Sequence, residues 1–415
     1  MVNSIFWWII IAFMILLDIY VFQAVKMVSQ SLGERARMIV YAIYWGMAAI
    51  TVIWMVLMPF INLENMPGSL RSTLFTIIIG LFFAKILAST FFLIDDIRRG
   101  IQWVAGKIFY QNTEGESIQE GGISRSAFLS WAGLLVGGGL FTSLIYGFNN
   151  RYRYQLKTVR LNYPNLPGAF RGLRIVQISD IHAGSLNDIA SVMKGVEKIK
   201  LLNPDLILFT GDLVNNKATE MEKLKDVFAP LKAKMGVFSI LGNHDYGDYT
   251  QWESPVAKRQ NLENLKQVHA DMGWKLLLNE HVVIEKENEK IALLGVENWS
   301  NKARFPKYGD LAKAYSGTNN YPFKILLSHD PSHWDAEVRT NFSDIDLMLA
   351  GHTHGMQFGV EIPGFRWSPV QYVYNQWAGL YENQHQKLYV NRGLGFIGYP
   401  GRVGILPEIT LIELV

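Results

Sequence analysis

The chain of 415 residues contains no cysteine. No disulfide can staple it, no thiolate can serve as nucleophile, and any bound metal must rely on imidazole, carboxylate or amide donors. Charge is scarce as well: Asp, Glu, Lys and Arg make up 18% of the residues, against about a quarter in ordinary globular chains. With 39 basic and 36 acidic side chains the formal net charge is only +3. That leaves no reserve of positive charge for a phosphodiester backbone, so nucleic acid is not expected as a partner. Internal repeats and low-complexity tracts are missing too, which argues against fibrous or disordered classes.

Apolar sequence is abundant, at 49% of the chain, and it is concentrated at the front. Ile5 to Val25 carries one charge, Asp18; Met38 to Ile61 carries none; Ser72 to Ile94 carries only Lys85; Ala127 to Phe148 is uncharged and glycine-rich around Gly137, Gly138 and Gly139. Each run is long enough to cross a bilayer. The reading is a membrane anchor over residues 1–150 with four transmembrane helices at about 5–25, 38–61, 72–94 and 127–148, followed by a second domain over 151–415. Basic residues are retained on the cytoplasmic side during insertion. Lys26, Arg35 and Arg37 fall in the first loop and Arg98, Arg99, Lys107 and Arg125 in the third, whereas the second has only Arg71. Both termini are therefore expected outside, with the large domain extracytoplasmic. Arg151, Arg153 and Lys157, just past the fourth run, are the counter-signal for a cytoplasmic domain. Asp18 and Lys85 suggest either an interhelical pair or an ion pathway.

From about Tyr152 onward short β-rich runs alternate with amphipathic stretches, the pattern of layered α/β architecture. Strands are expected at 173–179, 206–210, 237–241, 291–296, 323–327, 347–350, 388–390 and 409–412, and helices at 187–202 and 219–234. Five strand ends carry metal-type donors: Asp180 and His182, Asp212, Asn243-His244-Asp245, His329, and His352 with His354. Ligands of α/β sheets gather at the carboxyl ends of strands. A mixed Asp, His and Asn set suits two transition-metal divalent ions, with Mn, Fe or Zn expected. A carboxylate can bridge two ions about 3.5 to 4 Å apart, and Asp212 is the natural bridge. Asp180, His182 and His354 would complete one shell; Asn243, His329 and His352 would complete the other. A hydroxide held between two cations is nucleophilic at neutral pH and would attack phosphorus in line.

The motifs DxH, GD, GNHD, SH and GHTH, in this order, resemble the calcineurin-like metallophosphoesterase superfamily. The resemblance covers roughly Leu173 to Leu414 and implies a four-layer α/β/β/α sandwich with a dinuclear site on one edge. It also implies that His244 protonates the leaving oxygen and that Asp245 orients His244. The segments Asn391 to Gly395 and Pro407 to Ile409 look like the membrane-associated or exported bacterial branch, whose members include enzymes acting on phospholipid-like or UDP-diacylglucosamine pyrophosphate substrates. Ser124-Arg125-Ser126-Ala127-Phe128-Leu129 looks like a degenerate twin-arginine signal with one arginine, and Met356 stands where that branch usually has glycine.

Arg392 and Arg402 are candidate anion-binding residues beside a glycine-rich loop. Aromatics crowd Phe358 to Tyr381, with Trp299, Phe305 and Tyr308 in another loop; around a site near a membrane anchor they would admit an amphiphilic lipid phosphate. His269, His281, His333 and His385 have no motif context and are read as packing or surface histidines. The expected activity is a membrane-bound phosphoesterase. The alternatives are a UDP-2,3-diacylglucosamine-type pyrophosphatase with a cytosolic domain and a non-catalytic phosphate-sensing membrane protein.

Overall fold

The computed structural model describes residues 5–61, 66, 68–109 and 124–415, and they divide into two compact units, Met1–Tyr146 and Gly147–Val415. The first unit is helical: α1 (Ile5–Val28), α2 (Glu34–Leu57), α3 (Gly68–Phe109) and α4 (Arg125–Gly147). All four are long and apolar enough to cross a membrane. Ile5, Ile50 and Leu135 are largely exposed, as side chains facing hydrocarbon would be. A narrow stripe packs inward, with Leu17, Val21 and Ala24 against Ala88 and Phe92. A Cβ on Gly133 or Gly137 would lie 2.8 Å from the Ala88 carbonyl and 2.5 Å from that of Ala84, whereas Gly138 and Gly139 face open space. The small residues that let α3 and α4 approach are thus Gly133 and Gly137, four apart.

Asp18 is 2% exposed; it accepts from the Lys85 ammonium, and the Tyr44 hydroxyl donates to its backbone carbonyl at 2.7 Å. That is an interhelical pair. The loop assignments need correcting. The third run does not stop at Ile94: α3 continues for 42 residues, roughly 60 Å, so Arg71, Arg98, Arg99 and Lys107 are helical. Asp95 and Asp96 sustain the extension by pairing with Arg98 and Arg99 one turn on.

The second unit is built on two six-stranded sheets. The first runs β1 (Gln155–Leu161), β14 (Glu408–Leu414), β2 (Arg174–Ile178), β3 (Leu206–Phe209), β4 (Val237–Ser239), β5 (Lys275–Leu276); the second runs β12 (Gly379–Asn383), β13 (Gln386–Val390), β9 (Leu347–Ala350), β8 (Lys324–Leu327), β7 (Glu289–Gly295), β6 (Glu280–Lys286). Their central strands are parallel and apolar on both faces, as strands covered on both sides must be. Alternation then sorts the side chains. Ile175, Leu206 and Leu208 meet Leu293, Ile325, Leu347 and Leu349 between the sheets. Val176, Ile207 and Phe209 pack under α5 (Ile189–Leu201), α6 (Lys225–Phe228) and α7 (Pro255–Asp271). Leu326, Met348 and Leu388 pack under α8 (Leu311–Tyr315) and a π-helical turn at Trp334–Val338. The order is helix, sheet, sheet, helix.

The helix expected over 219–234 is absent; a 3-10 turn at Ala218–Met221 and the four-residue α6 replace it. Ala229 is still helical at φ -54° and ψ -30°, but Pro230 lacks an N–H and cannot carry the hydrogen-bond ladder further. A small hairpin, β10 (Val360–Ile362) and β11 (Phe365–Trp367), stands apart from both sheets.

His269 in α7 is wholly buried near Phe209 and Trp274, and neither ring nitrogen has a hydrogen-bond partner. Burial pulls its pKa down from 6.5 to about 3. The unfolded chain takes up that proton first, so stability present above pH 6.5 is lost as pH falls toward 3, by up to about 1.4 kcal/mol per pH unit. In His269→Leu the thermal midpoint of the full chain should fall less between pH 7 and pH 5 than in the parent; an unchanged acid slope would refute this.

Candidate active site

Each loop that leaves the carboxyl end of β2, β3, β4, β8 or β9 brings a polar side chain to one shared cluster. Several do so through left-handed backbone: φ is 52° at Asp180, 50° at His182, 59° at Asp212, 71° at His352 and 51° at His354. Non-glycine residues seldom adopt this conformation, and it clusters where structure over-determines a site. Close backbone approach also matters. A Cβ on Gly351 would lie 2.2 Å from Asp180 Oδ2, and one on Gly242 would lie 2.3 Å from Asp212 Oδ1.

The seven residues read as metal donors converge. Asp180, His182 and His354 form one group, Asp212, His329 and His352 another, and Asn243 adjoins the second through His352. In the first, His354 Nε2 is 3.2 Å from Asp180 Oδ1 and 3.0 Å from His182 Nε2. In the second, His329 Nε2 is 3.1 Å from Asp212 Oδ2, and Asn243 Oδ1 is 2.8 Å from His352 Nδ1. Donors about 2.1 Å from a shared cation and at right angles to each other are about 3 Å apart, so these spacings are those of groups that could hold a metal ion. Asp212 joins the groups: its Oδ2 is also 3.6 Å from His182 Nε2, while Oδ1 accepts the His244 backbone N–H at 2.8 Å.

Proton placement points the same way. His329 Nδ1 donates to the Thr210 carbonyl at 2.6 Å, leaving Nε2 buried with no hydrogen-bond partner. The Tyr374 hydroxyl donates to Asp330 Oδ2 at 3.2 Å and so accepts from His352 Nε2 at 2.9 Å. Asn243 Nδ2 donates to the Tyr249 hydroxyl. His352 Nδ1 and Asn243 Oδ1 therefore aim lone pairs at each other, an arrangement that a cation between them relieves. Without an ion, burial disfavours the His329 charge, but Asp212 and Asp180 outweigh it and push its pKa up to about 10. Burial likewise opposes the Asp180 charge, and His354 and His329 hold the carboxyl well below its ordinary range.

A cavity of about 600 Å³ opens over both groups. His182, Asp212, Asn243, His244, His352 and His354 form its floor; Arg304, Phe305, Met356, Val373 and Tyr374 are among its walls.

The family model for a Calcineurin-like phosphoesterase matches residues 173–356. A second, for a "Probable Calcineurin-like phosphoesterase, transmembrane domain", matches residues 3–151. The uncharacterized metallophosphoesterase YkuE of Bacillus subtilis is 32% identical over 255 residues, covering 60% of this chain and 81% of that protein. The chain belongs to the calcineurin-like phosphoesterase family. The UDP-2,3-diacylglucosamine pyrophosphatase LpxG of Chlamydia trachomatis is 30% identical over 283 residues, 58% of this chain and 84% of that protein. A transmembrane protein with metallophosphoesterase domain from Danio rerio is 30% identical over 278 residues, 65% of this chain; the chain spans only 60% of that relative's length.

Three expectations for this phosphoesterase site are corrected by its geometry. Asp245 does not touch the His244 ring. Its carboxylate accepts four backbone N–H groups, from Asp212, Leu213, Val214 and Gly242, and so fixes the loop that carries Asp212. His244 is held instead by its Nδ1 against the Asn215 carbonyl at 2.9 Å, which turns the rest of the ring to the cavity. Arg392 and Arg402 are not free to meet substrate. Arg392 is 3% exposed and paired with Glu408 and Glu361; Arg402 is fully buried and donates to the carbonyls of Arg392, Gly393, Gly395 and His354. Burying an arginine demands such partners, and the glycine-rich loop supplies them. The cavity's arginine is Arg304, which no motif flagged.

Of the aromatics, Phe305 and Tyr374 line the cavity, Trp377 is buried, and Phe365 and Tyr372 are exposed. Trp299 stacks on His333 and Tyr308 on Tyr246. His333 bonds Ser328 and Glu337, His281 the Ala314 carbonyl and His385 the Ser343 carbonyl. Met356 has φ 55°, a conformation glycine adopts freely, and is 58% exposed at the cavity wall. Tyr374 was read only as one of the aromatics around the site; Asp330 and Asn215 were missed, and of these only Asp330, which directly follows His329, offered any sequence signal.

Proposed function

We propose that the chain is a membrane-bound metal-dependent phosphoesterase that cleaves a phosphate ester, lipid-like in nature, at a site for two divalent cations drawn from Mn, Fe or Zn. One observation carries the reading: a single oxygen, Asp212 Oδ2, stands within 3.6 Å of His182 Nε2 and 3.1 Å of His329 Nε2, where one carboxylate can serve both donor groups. Bound there, the ions would supply a nucleophilic water and polarise the phosphoryl oxygens. Asp180, His182 and His354 would hold one ion and Asn243, His329 and His352 the other. His244, its Nδ1 fixed on the Asn215 carbonyl, turns Nε2 to the cavity and serves as the proton donor to the leaving oxygen. Arg304 offsets the negative charge of the substrate, and Phe305, Met356 and Val373 exclude water around it.

Hydrolysis of a chromogenic monoester and diester by the full chain in detergent should require Mn²⁺, stop with chelator and return on adding the metal. Metal-independent turnover would overturn the proposal.

The LpxG similarity favours a second reading, a UDP-2,3-diacylglucosamine-type pyrophosphatase with a cytosolic domain. We place the catalytic unit outside the cytoplasm on the basic residues of the anchor; protease added to sealed cells should cleave it, and complete protection would favour the pyrophosphatase.

A further inference from the structure

The catalytic unit carries an apolar ledge beside the cavity mouth. Met356, Val360, Ile362, Phe365, Tyr372 and Val373 are 58%, 42%, 58%, 54%, 78% and 52% exposed, and Met356 and Val373 also wall the cavity. The tip of the β10–β11 hairpin is Pro363-Gly364, with Gly364 at φ 79°, so nothing folds back over Ile362 and Phe365. The hairpin's charges are spoken for. Glu361 is held by Arg392 at 2.8 Å and Lys157 at 3.4 Å, and the Arg366 guanidinium lies over Trp377 with 5.0 Å to the ring centroid. What faces outward is aliphatic and aromatic, on a protein whose remaining exposed apolar side chains are largely on its candidate membrane spans. Contiguous apolar patches of this kind mark an interaction surface.

The chain's own path says which surface. The fourth span ends at Gly147, which already belongs to the catalytic unit. The Arg402 N–H donates to the Gly147 carbonyl at 2.9 Å and the Asn150 side chain donates to the Arg402 carbonyl at 3.2 Å. The next residue along, Val403, donates to the Gln357 carbonyl at 2.8 Å and accepts from the Gly359 N–H at 2.9 Å. Three chain segments thus lie side by side, from the end of the span to the root of the hairpin. At about 4.8 Å per neighbouring segment, that root is roughly 10 Å from Gly147, the last residue of α4.

We propose that this ledge docks on the lipid surface that the chain spans, with Ile362 and Phe365 at the acyl boundary and Tyr372 at headgroup level. The cavity then opens at the interface and draws an amphiphilic phosphate ester from that leaflet rather than from solution. The substrate half of the proposal rests on the phosphoesterase reading above; the docking half does not.

Because the chain has no cysteine, one label can be placed at will. The full-length protein carrying Ile362→Cys or Phe365→Cys, tagged with an environment-sensitive fluorophore, is put into phosphatidylcholine nanodiscs with and without doxyl-labelled lipid; Leu201→Cys, 82% exposed on α5, is the reference. Labels at 362 and 365 should be blue-shifted and quenched, and the one at 201 should not. Equal quenching at all three overturns docking, and so does a blue shift that doxyl lipid leaves unquenched, which would mean a second copy or another protein covers the ledge. The double variant Ile362→Glu/Phe365→Glu should keep its rate on a soluble chromogenic ester and lose on the order of tenfold on phosphatidic acid or phosphatidylglycerol in vesicles, since charge is costly at an acyl boundary. Undiminished vesicle hydrolysis overturns the proposal. A parent chain that is inactive on every ester yet quenched at 362 and 365 would bring down the phosphoesterase reading and support docking.

Discussion

Asp212→Asn is expected to lower turnover by on the order of 10³-fold or more while leaving the fold intact, because the exchange removes charge from the one oxygen shared by both donor groups. Oδ1 accepts the His244 backbone N–H, and an asparagine carbonyl can do the same, so the β4 loop keeps its anchor. The atom that changes is Oδ2. An NH₂ there would donate toward His329 and His182 instead of accepting, and would repel a cation. Metal content should fall with activity, from the two ions proposed per chain toward one or none. Elemental analysis beside a hydrolysis assay checks both, and a variant with parental activity and full metal would end the shared-oxygen assignment.

Asp245→Ala should be the most damaging single change to stability in the catalytic unit. It strands four N–H groups, each costing about 1 to 3 kcal/mol when buried without a partner. A loss of at least about 4 kcal/mol corresponds to roughly 10 °C in thermal midpoint for a domain of this size. His244→Ala, by contrast, should leave the midpoint nearly unchanged and cut turnover by about 10² or more, the usual contribution of a positioned proton donor. The two neighbours should thus separate: Asp245 holds the loop, whereas His244 is the proposed proton donor. Calorimetry and kinetics on both variants test this, and equal effects on midpoint would contradict it.

The positions of Asp180, Asp212, Asn243, His329, His352 and His354 were legible because each lies within four residues of the end of an apolar run, and in a parallel sheet such runs end at one edge. Period-2 alternation could not be used to find them, since strands covered on both faces are apolar throughout. Backbone conformation was not legible at all: nothing in the letters says that Asp180 or His352 takes positive φ, which the surrounding contacts impose. Arg392 and Arg402 were misread for the opposite reason. Their sequence neighbours are small and loop-like, the usual context of solvated arginines, but Glu408 comes from β14, sixteen positions beyond Arg392, and only the sheet brings the two together. The extent of α3 beyond Ile94 was hidden because hydropathy reports where a helix can lie in lipid and is silent about where it ends in water.

The bond between the Arg402 amide and the Gly147 carbonyl bears on how the catalytic unit should be excised. A fragment begun at Tyr152, where strand-like sequence starts, would discard both Gly147 and Asn150, leaving the Arg402 main chain without either neighbour just where its guanidinium braces the loop behind His354. Beginning at Gly147 keeps that brace closed, at the modest inconvenience of carrying one apolar residue, Phe148, into water.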